Sequence, residues 1–141
     1  MKQRNRASLN SKEAADKPRG YLILLVDDEP CMRTLLGEFL QRAGFQVVEA
    51  EDGEKAIEAA ARDRPRLILM NYMMPVMDGL TAVHAIRQKL PEMKILVVSG
   101  YTTPENFPTL RKMGVEGFVQ KPFELQKLAH LIRDVLDGVA A

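Results

Sequence analysis

Five polar positions in this sequence could combine into one chemistry. Asp27 and Asp28 are adjacent carboxylates closing an apolar run. Asn71 closes a second run, Ser99 a third, and Lys121, followed by Pro122, a fourth. Carboxylates and an amide oxygen are hard donors that suit Mg²⁺, which takes one or two carboxylates and keeps several waters. A hydroxyl and an ammonium nearby would suit the oxygens of a phosphoryl group. Taken singly, each has a plain use: an Asp-Asp pair caps helices, Asn71 forms turns ahead of Pro75, and a loop lysine or a serine says little. The signal lies in their joint placement, which matters only if the fold brings these run ends together.

The elements that would do so follow from hydrophobic pattern. Residues 21–26 are too uniformly apolar for a half-exposed strand and read as one buried on both faces. Pro30 suits the first turn of a helix, with Asp28 or Glu29 near its cap. Met32, Leu35, Leu36, Phe39 and Leu40 form its apolar stripe, and Gly44 closes it. Residues 45–50 read as a second strand and Asp52-Gly53 as a turn. Ala56, Ile57, Ala60 and Ala61 mark a helix that stops before Pro65. Residues 67–70, 95–98 and 117–119 read as further strands. Leu80, Val83 and Ile86 mark a third helix, residues 105–113 a short fourth one with a poor pattern, and Leu125, Leu128, Leu131, Ile132 and Val135 the last. This is βα repeated five times, so residues 20–138 are expected to form one α/β domain with a parallel sheet covered on both faces. Ligands of such sheets bind beyond the carboxyl ends of the strands. Those ends are Asp27-Asp28, Glu49-Ala50, Asn71, Ser99 and Gln120-Lys121.

Composition narrows the class. The chain has 141 residues, of which 46% are hydrophobic, and a formal charge of +1. A domain of this length needs no disulfide staples, and the single cysteine, Cys31, allows no intrachain bridge. With no apolar signal core, a cytoplasmic location is expected. No apolar run approaches the ~20 residues of a membrane span. Residues 1–19 carry six basic and two acidic groups, a net of +4 that leaves −3 for the rest. They read as a disordered basic tail. No aromatic residue is interleaved there for base stacking, which favours a solvated leader over a nucleic-acid arm. Residues 139–141 are a short C-terminal end.

The polar positions lie in motifs that resemble the receiver domain of bacterial two-component response regulators. The matching segments are Val26-Asp27-Asp28-Glu29-Pro30, Met74-Pro75-Val76-Met77-Asp78-Gly79, Val98-Ser99-Gly100 and Phe118-Val119-Gln120-Lys121-Pro122-Phe123. The resemblance covers about residues 20–138 and implies a flavodoxin-like, doubly wound (βα)5 fold with strand order 2-1-3-4-5. It implies that Asp27 and Asp28 hold Mg²⁺, Asp28 the more directly, with the backbone carbonyl of Met73 as third protein ligand. It makes Ser99 the switch hydroxyl, Lys121 the lysine that pairs with the phosphoryl group, and Phe118 the switch aromatic. The small Gly100 would leave the site open to a donor. The implied partners are a histidine kinase or phosphotransfer protein and a downstream protein. A homodimer through the fourth helix, fifth strand and fifth helix is the implied assembly. Arg111, Lys112, Asp134 and Asp137 could pair across it, although a solvated surface explains those charges as well. Direct nucleic-acid binding, a membrane and an enzymatic activity are not expected.

One position departs from the family. Its phosphoacceptor is an aspartate four residues before the proline of the Met-Pro element, and here that position is Asn71. Forming an acyl phosphate needs an anionic oxygen, and a neutral amide with a delocalised lone pair is a poor nucleophile. The formal charge of the pocket becomes −1 in place of −2. Mg²⁺ is therefore expected to bind more weakly, although the amide oxygen of Asn71 can still coordinate. The chain as written is expected not to be phosphorylated. A deliberate substitution, a natural pseudo-receiver, and a deamidating Asn or neighbouring acceptor all remain open as origins.

Three rival readings make different demands on the residues. A phosphorylation-independent interaction module needs no acceptor. A flavin- or nucleotide-binding protein would need a glycine-rich phosphate loop where Asp27-Asp28-Glu29-Pro30 stands. A Mg²⁺-dependent phosphohydrolase would need the missing nucleophile. His84 and His130 read as surface histidines and Cys31 as a plain helix-start cysteine. Met70, Met73, Met74 and Met77 read as packing and not as a soft-metal site. Arg66, where the family commonly has an acid, reads as part of a surface turn.

Overall fold

The computed structural model describes residues 20–72, 79–100 and 107–138. Five strands alternate with five helices: β1 (Leu22–Val26), α1 (Pro30–Arg42), β2 (Gln46–Ala50), α2 (Gly53–Asp63), β3 (Leu67–Asn71), α3 (Gly79–Lys89), β4 (Lys94–Ser99), α4 (Phe107–Lys112), β5 (Gly117–Gln120) and α5 (Leu125–Leu136). All strand pairs are parallel, in the order β2-β1-β3-β4-β5. The expected tail at 1–19, the end at 139–141, the Met73 carbonyl and residues 74–78 of the Met-Pro element lie outside the described residues. So do the first two residues of the helix expected over 105–113.

The two-residue period of the strands divides the core in two. Leu24, Val26, Ile68, Met70, Ile95 and Val97 face α2, α3 and α4. Ile23, Leu25, Leu67, Leu69, Leu96 and Val98 face α1 and α5. Helices cover both faces, so the central strands must be apolar at every position, and β3 is buried throughout. Each helix presents a stripe to its own cluster: Leu36 and Leu40 from α1, Ala56, Ala59 and Ala60 from α2, Val83 and Ile86 from α3, and Leu128, Ile132 and Val135 from α5.

The structure corrects three details of the pattern. Leu35 is 52% exposed, because it sits a full ~100° around α1 from Leu36, at the rim of the stripe. Ala61 of α2 is exposed and Ala59 takes its place in the core. Asp52 is more than a turn residue: its side chain accepts the Lys55 N–H at 2.9 Å and caps α2. Elsewhere the punctuation is as expected, with Gly44 at φ 104 after α1, where a Cβ would be strained.

Candidate functional site

Strand ends carry every described residue of the candidate set except Phe118, the second residue of β5. Asp27 follows β1 and stays in sheet register, its N–H donating to the Ala50 carbonyl at 3.1 Å. Asn71 is the last residue of β3 and Ser99 the last of β4. Lys121 follows β5, with its N–H on the Ser99 carbonyl at 3.0 Å. The Lys121–Pro122 peptide bond is cis. Because β3 lies between β1 and β4, tips distant in sequence meet. Asn71 Nδ2 donates to Asp28 Oδ1 at 3.1 Å. Asp27, Asn71 and Lys121 line one small cavity of about 10 Å³, walled by Leu36, Leu69 and Phe123.

Strand parity explains which residues gather. Asp27 and Asn71 continue the rows of Leu25 and Leu69, and Lys121 that of Val119, all on the α1 and α5 side. Ser99 continues the row of Ile95 and Val97 on the other side, where Phe118 is half-buried against the same cluster. The set therefore divides into an acid–amide–lysine group and a Ser99–Phe118 group across the sheet's end. Among the described residues no three His, Cys, Asp or Glu side chains gather as a metal cluster. The tips bring two carboxylates and an amide.

Asp27 is 4% exposed. Its Oδ1 accepts the Glu29 N–H at 2.9 Å. Glu29 stands at the cap position of α1, as expected, but its side chain makes no cap bond; the Asp27 carboxylate instead holds the Glu29 N–H in a local turn ahead of the helix. Burial holds the Asp27 carboxyl above its ordinary value of 3.8. The Glu29 N–H and the Lys121 ammonium pull it down, and the neighbouring Asp28 and Glu29 push it up. Ionised Asp27 thus costs folding free energy that is absent below pH 3.8 and fully present above its raised pKa. Asp27→Asn keeps an acceptor for Glu29 and removes the charge. We expect the metal-free variant to be more stable at neutral pH by on the order of 1 kcal/mol, an advantage that shrinks as the solution is acidified. Paired thermal melts at neutral and acidic pH check this, and an unchanged melting temperature at neutral pH would contradict it.

Sequence spacing does not single out Arg33, yet it ties the tips of β1 and β2 together. Its Nη1 donates to the Asp27 carbonyl at 2.6 Å, and its Nε pairs with Glu49 Oε1 at 3.1 Å. The one available signal is a cation in the first turn of a helix that opens behind acidic strand ends. Gly79 lets α3 begin hard against the tip of β3. An added Cβ would come within 2.9 Å of the Tyr72 Cα and 3.2 Å of the Asn71 carbonyl oxygen. At Gly100, no described atom lies within 4 Å of where a Cβ would stand.

The discounted residues lie apart from this group. Cys31 is exposed, His84 and His130 are exposed on α3 and α5, and Arg111 and Lys112 on α4, Asp134 on α5 and Asp137 just after it are exposed as well. Met70 is fully buried in the core.

Fold and tips together define a flavodoxin-like, doubly wound domain of the CheY type, with a polar crevice at the carboxyl end of its sheet. Within that class the chain belongs to the response regulator receiver domain family, whose model matches residues 23–133. It is 34% identical over 118 residues to the chemotaxis protein CheY of Bacillus subtilis, covering 83% of this chain and 98% of that one. It is 33% identical over 116 residues to a cyclic di-GMP phosphodiesterase of Thermotoga maritima. That match covers 79% of this chain but only 31% of the relative. The structure of the chemotaxis protein CheY4 of Vibrio cholerae superposes with a TM-score of 0.77 at 31% identity, over 82% of this chain and 98% of that one. No helix of the described residues is long and apolar enough to cross a membrane.

Proposed function

We propose that Asn71 occupies the phosphoacceptor position of this receiver domain of a two-component response regulator, so that the domain transmits signal or binds partners without accepting phosphate. One contact carries this reading: the amide of Asn71 at the tip of β3 is hydrogen-bonded to Asp28 at 3.1 Å, where a carboxylate would face a carboxylate. The amide relieves that repulsion and offers no nucleophile.

Asp27, Asp28 and the Asn71 amide oxygen form a donor set that suits Mg²⁺. When bound there, Mg²⁺ would neutralise phosphoryl and carboxylate oxygens. Lys121 would hold anionic oxygens at the mouth of the small cavity. Ser99 and Phe118, on the far side of the sheet's end, would supply the switch. Asn71 weakens metal binding in two ways: it removes one charge, and its N–H occupies a lone pair of Asp28. A Mg²⁺ titration of the parent and of Asn71→Asp is expected to show tighter binding in the variant by at least about tenfold. Equal or weaker binding would overturn the charge argument.

The partners follow from the same reading. A histidine kinase or phosphotransfer protein would dock at the tips, and a downstream protein or a second copy would use the face of α4, β5 and α5. The protein would act in the cytoplasm as a binding module and not as an enzyme, without contacting nucleic acid directly.

A further inference from the structure

The pole of the sheet opposite the acid pair carries a cleft that the receiver chemistry does not use. Residues 64–66, entering β3, form one wall, and residues 89–94, entering β4, form the other. Between them lies an open groove of about 500 Å³. Four cations line it, Arg64, Arg66, Lys89 and Lys94, against one acid, Glu92. This excess of +3 stands on a domain whose residues 20–141 sum to −3. Among the described residues Arg64, Arg66 and Lys89 enter no ion pair. Pro91, with the partly exposed Leu90 and Met93, supplies apolar surface between the charges.

Both walls are held in place. Arg87 donates from beneath to the carbonyls of Leu90, Pro91 and Met93, which pins the second wall. Lys94 Nζ donates to the Val135 carbonyl at 3.1 Å, leaving further N–H donors on the ammonium. In the first wall, the Arg66 N–H donates to the Leu22 carbonyl at 2.8 Å, and its guanidinium lies 4.6 Å from the Tyr21 ring centroid. Arg64 adopts φ 48, a left-handed position that glycine or asparagine would fill at less cost. The cations are thus displayed on fixed backbone, which lowers the entropy cost of gathering them around an anion.

We propose that this cleft binds a nucleoside di- or triphosphate, its phosphates among the four cations and its base on the Leu90, Pro91 and Met93 surface. Its concavity falls in the volume range of small-molecule sites, and its net charge matches a polyphosphate chain. Glu92 can accept a hydrogen bond from a sugar hydroxyl or an exocyclic amine. The strand β3 links the two poles, running from the Arg66 wall to Asn71 over about 17 Å. The cleft does not depend on what Asn71 does.

Calorimetric titration of the full chain with ADP, pyrophosphate and adenosine, in EDTA to keep metal from the acid pole, tests the proposal. ADP is expected to bind, with pyrophosphate weaker and adenosine weaker still. Arg66→Glu combined with Lys89→Glu should weaken ADP by about tenfold or more. Lys127→Glu, one charge reversal on the exposed face of α5, should leave it unchanged. If the double reversal melts early, Arg66→Gln with Lys89→Gln gives the same reading at lower cost to folding. No heat with ADP at millimolar concentration would overturn the site, as would equal weakening by Lys127→Glu. Pyrophosphate binding as tightly as ADP would overturn the assignment of the apolar wall to a base.

Discussion

Asn71→Asp is expected to turn a chain that gains no phosphate into one that gains a single phosphoryl group from acetyl phosphate and Mg²⁺. The new carboxylate oxygen would attack phosphorus, an acyl phosphate would form, and acetate would leave with the electron pair of the broken bond. The rest of the pocket needs no rebuilding, because Asp28 already touches position 71 at 3.1 Å and Lys121 lines the same cavity. The side chains are nearly isosteric, so packing around Leu36 and Leu69 should be kept. The cost appears without metal. The variant faces Asp28 with a second carboxylate where an N–H now donates, so its metal-free stability should fall by about 1–3 kcal/mol. Mg²⁺ should restore most of that loss by mass action. Intact mass reads the first effect and thermal melts with and without Mg²⁺ read the second. A parent chain that gains phosphate would overturn the proposed role of Asn71. A folded, metal-binding variant that stays unmodified would show that position 71 is not the only group the pocket has lost.

Arg87→Met should be the most damaging single change outside the tips. The guanidinium donates to the carbonyls of Met113 at 2.7 Å and Gly114 at 2.8 Å, and to those of Leu90, Pro91 and Met93. It also lies 3.9 Å from Glu116, with its side chain only 15% exposed. One cation thereby closes the loop after α3, the entry to β4 and the turn between α4 and β5. Burial lowers the Arg87 pKa and Glu116 raises it, but a guanidinium stays charged throughout the ordinary pH range. Methionine keeps the apolar stem and abandons the carbonyls. A loss of about 3 kcal/mol is expected, near the top of the usual range for one substitution. That corresponds to a drop in melting temperature of roughly 10 °C. Arg87→Lys should recover little, since an ammonium cannot fork to carbonyls on three segments. Circular dichroism melts check both variants. A methionine variant as stable as the parent would mean that water serves these carbonyls equally well.

Much of this molecule is legible from residue order alone. Uniformly apolar runs mark strands buried on both faces, and the residue that ends each run marks a tip. The stripe of α1 is legible too, but not its edge: Leu35 fits the period and yet lies in solvent, because the width of a buried stripe is set by what packs on it. The described part of α4 spans six residues and buries only Leu110 completely, which fits its weak pattern. Arg33 and Arg87 escape sequence reading for a common reason. Their partners include backbone carbonyls, which every residue carries and no motif encodes.

The residue order determined where each strand stops and which polar group stands there, including the amide at 71, because hydrophobic runs and their interruptions are local properties of the chain. Only the tertiary structure decided which tips become neighbours. Placing β3 between β1 and β4 brings Asn71 onto Asp28, and strand parity puts Asp27 and Lys121 on one side of the sheet with Ser99 and Phe118 on the other. Burial then raises the pKa of Asp27, and two distant loops converge into a basic cleft at the far pole. These outcomes depend on the pairing of segments far apart in sequence, so no local pattern could have specified them.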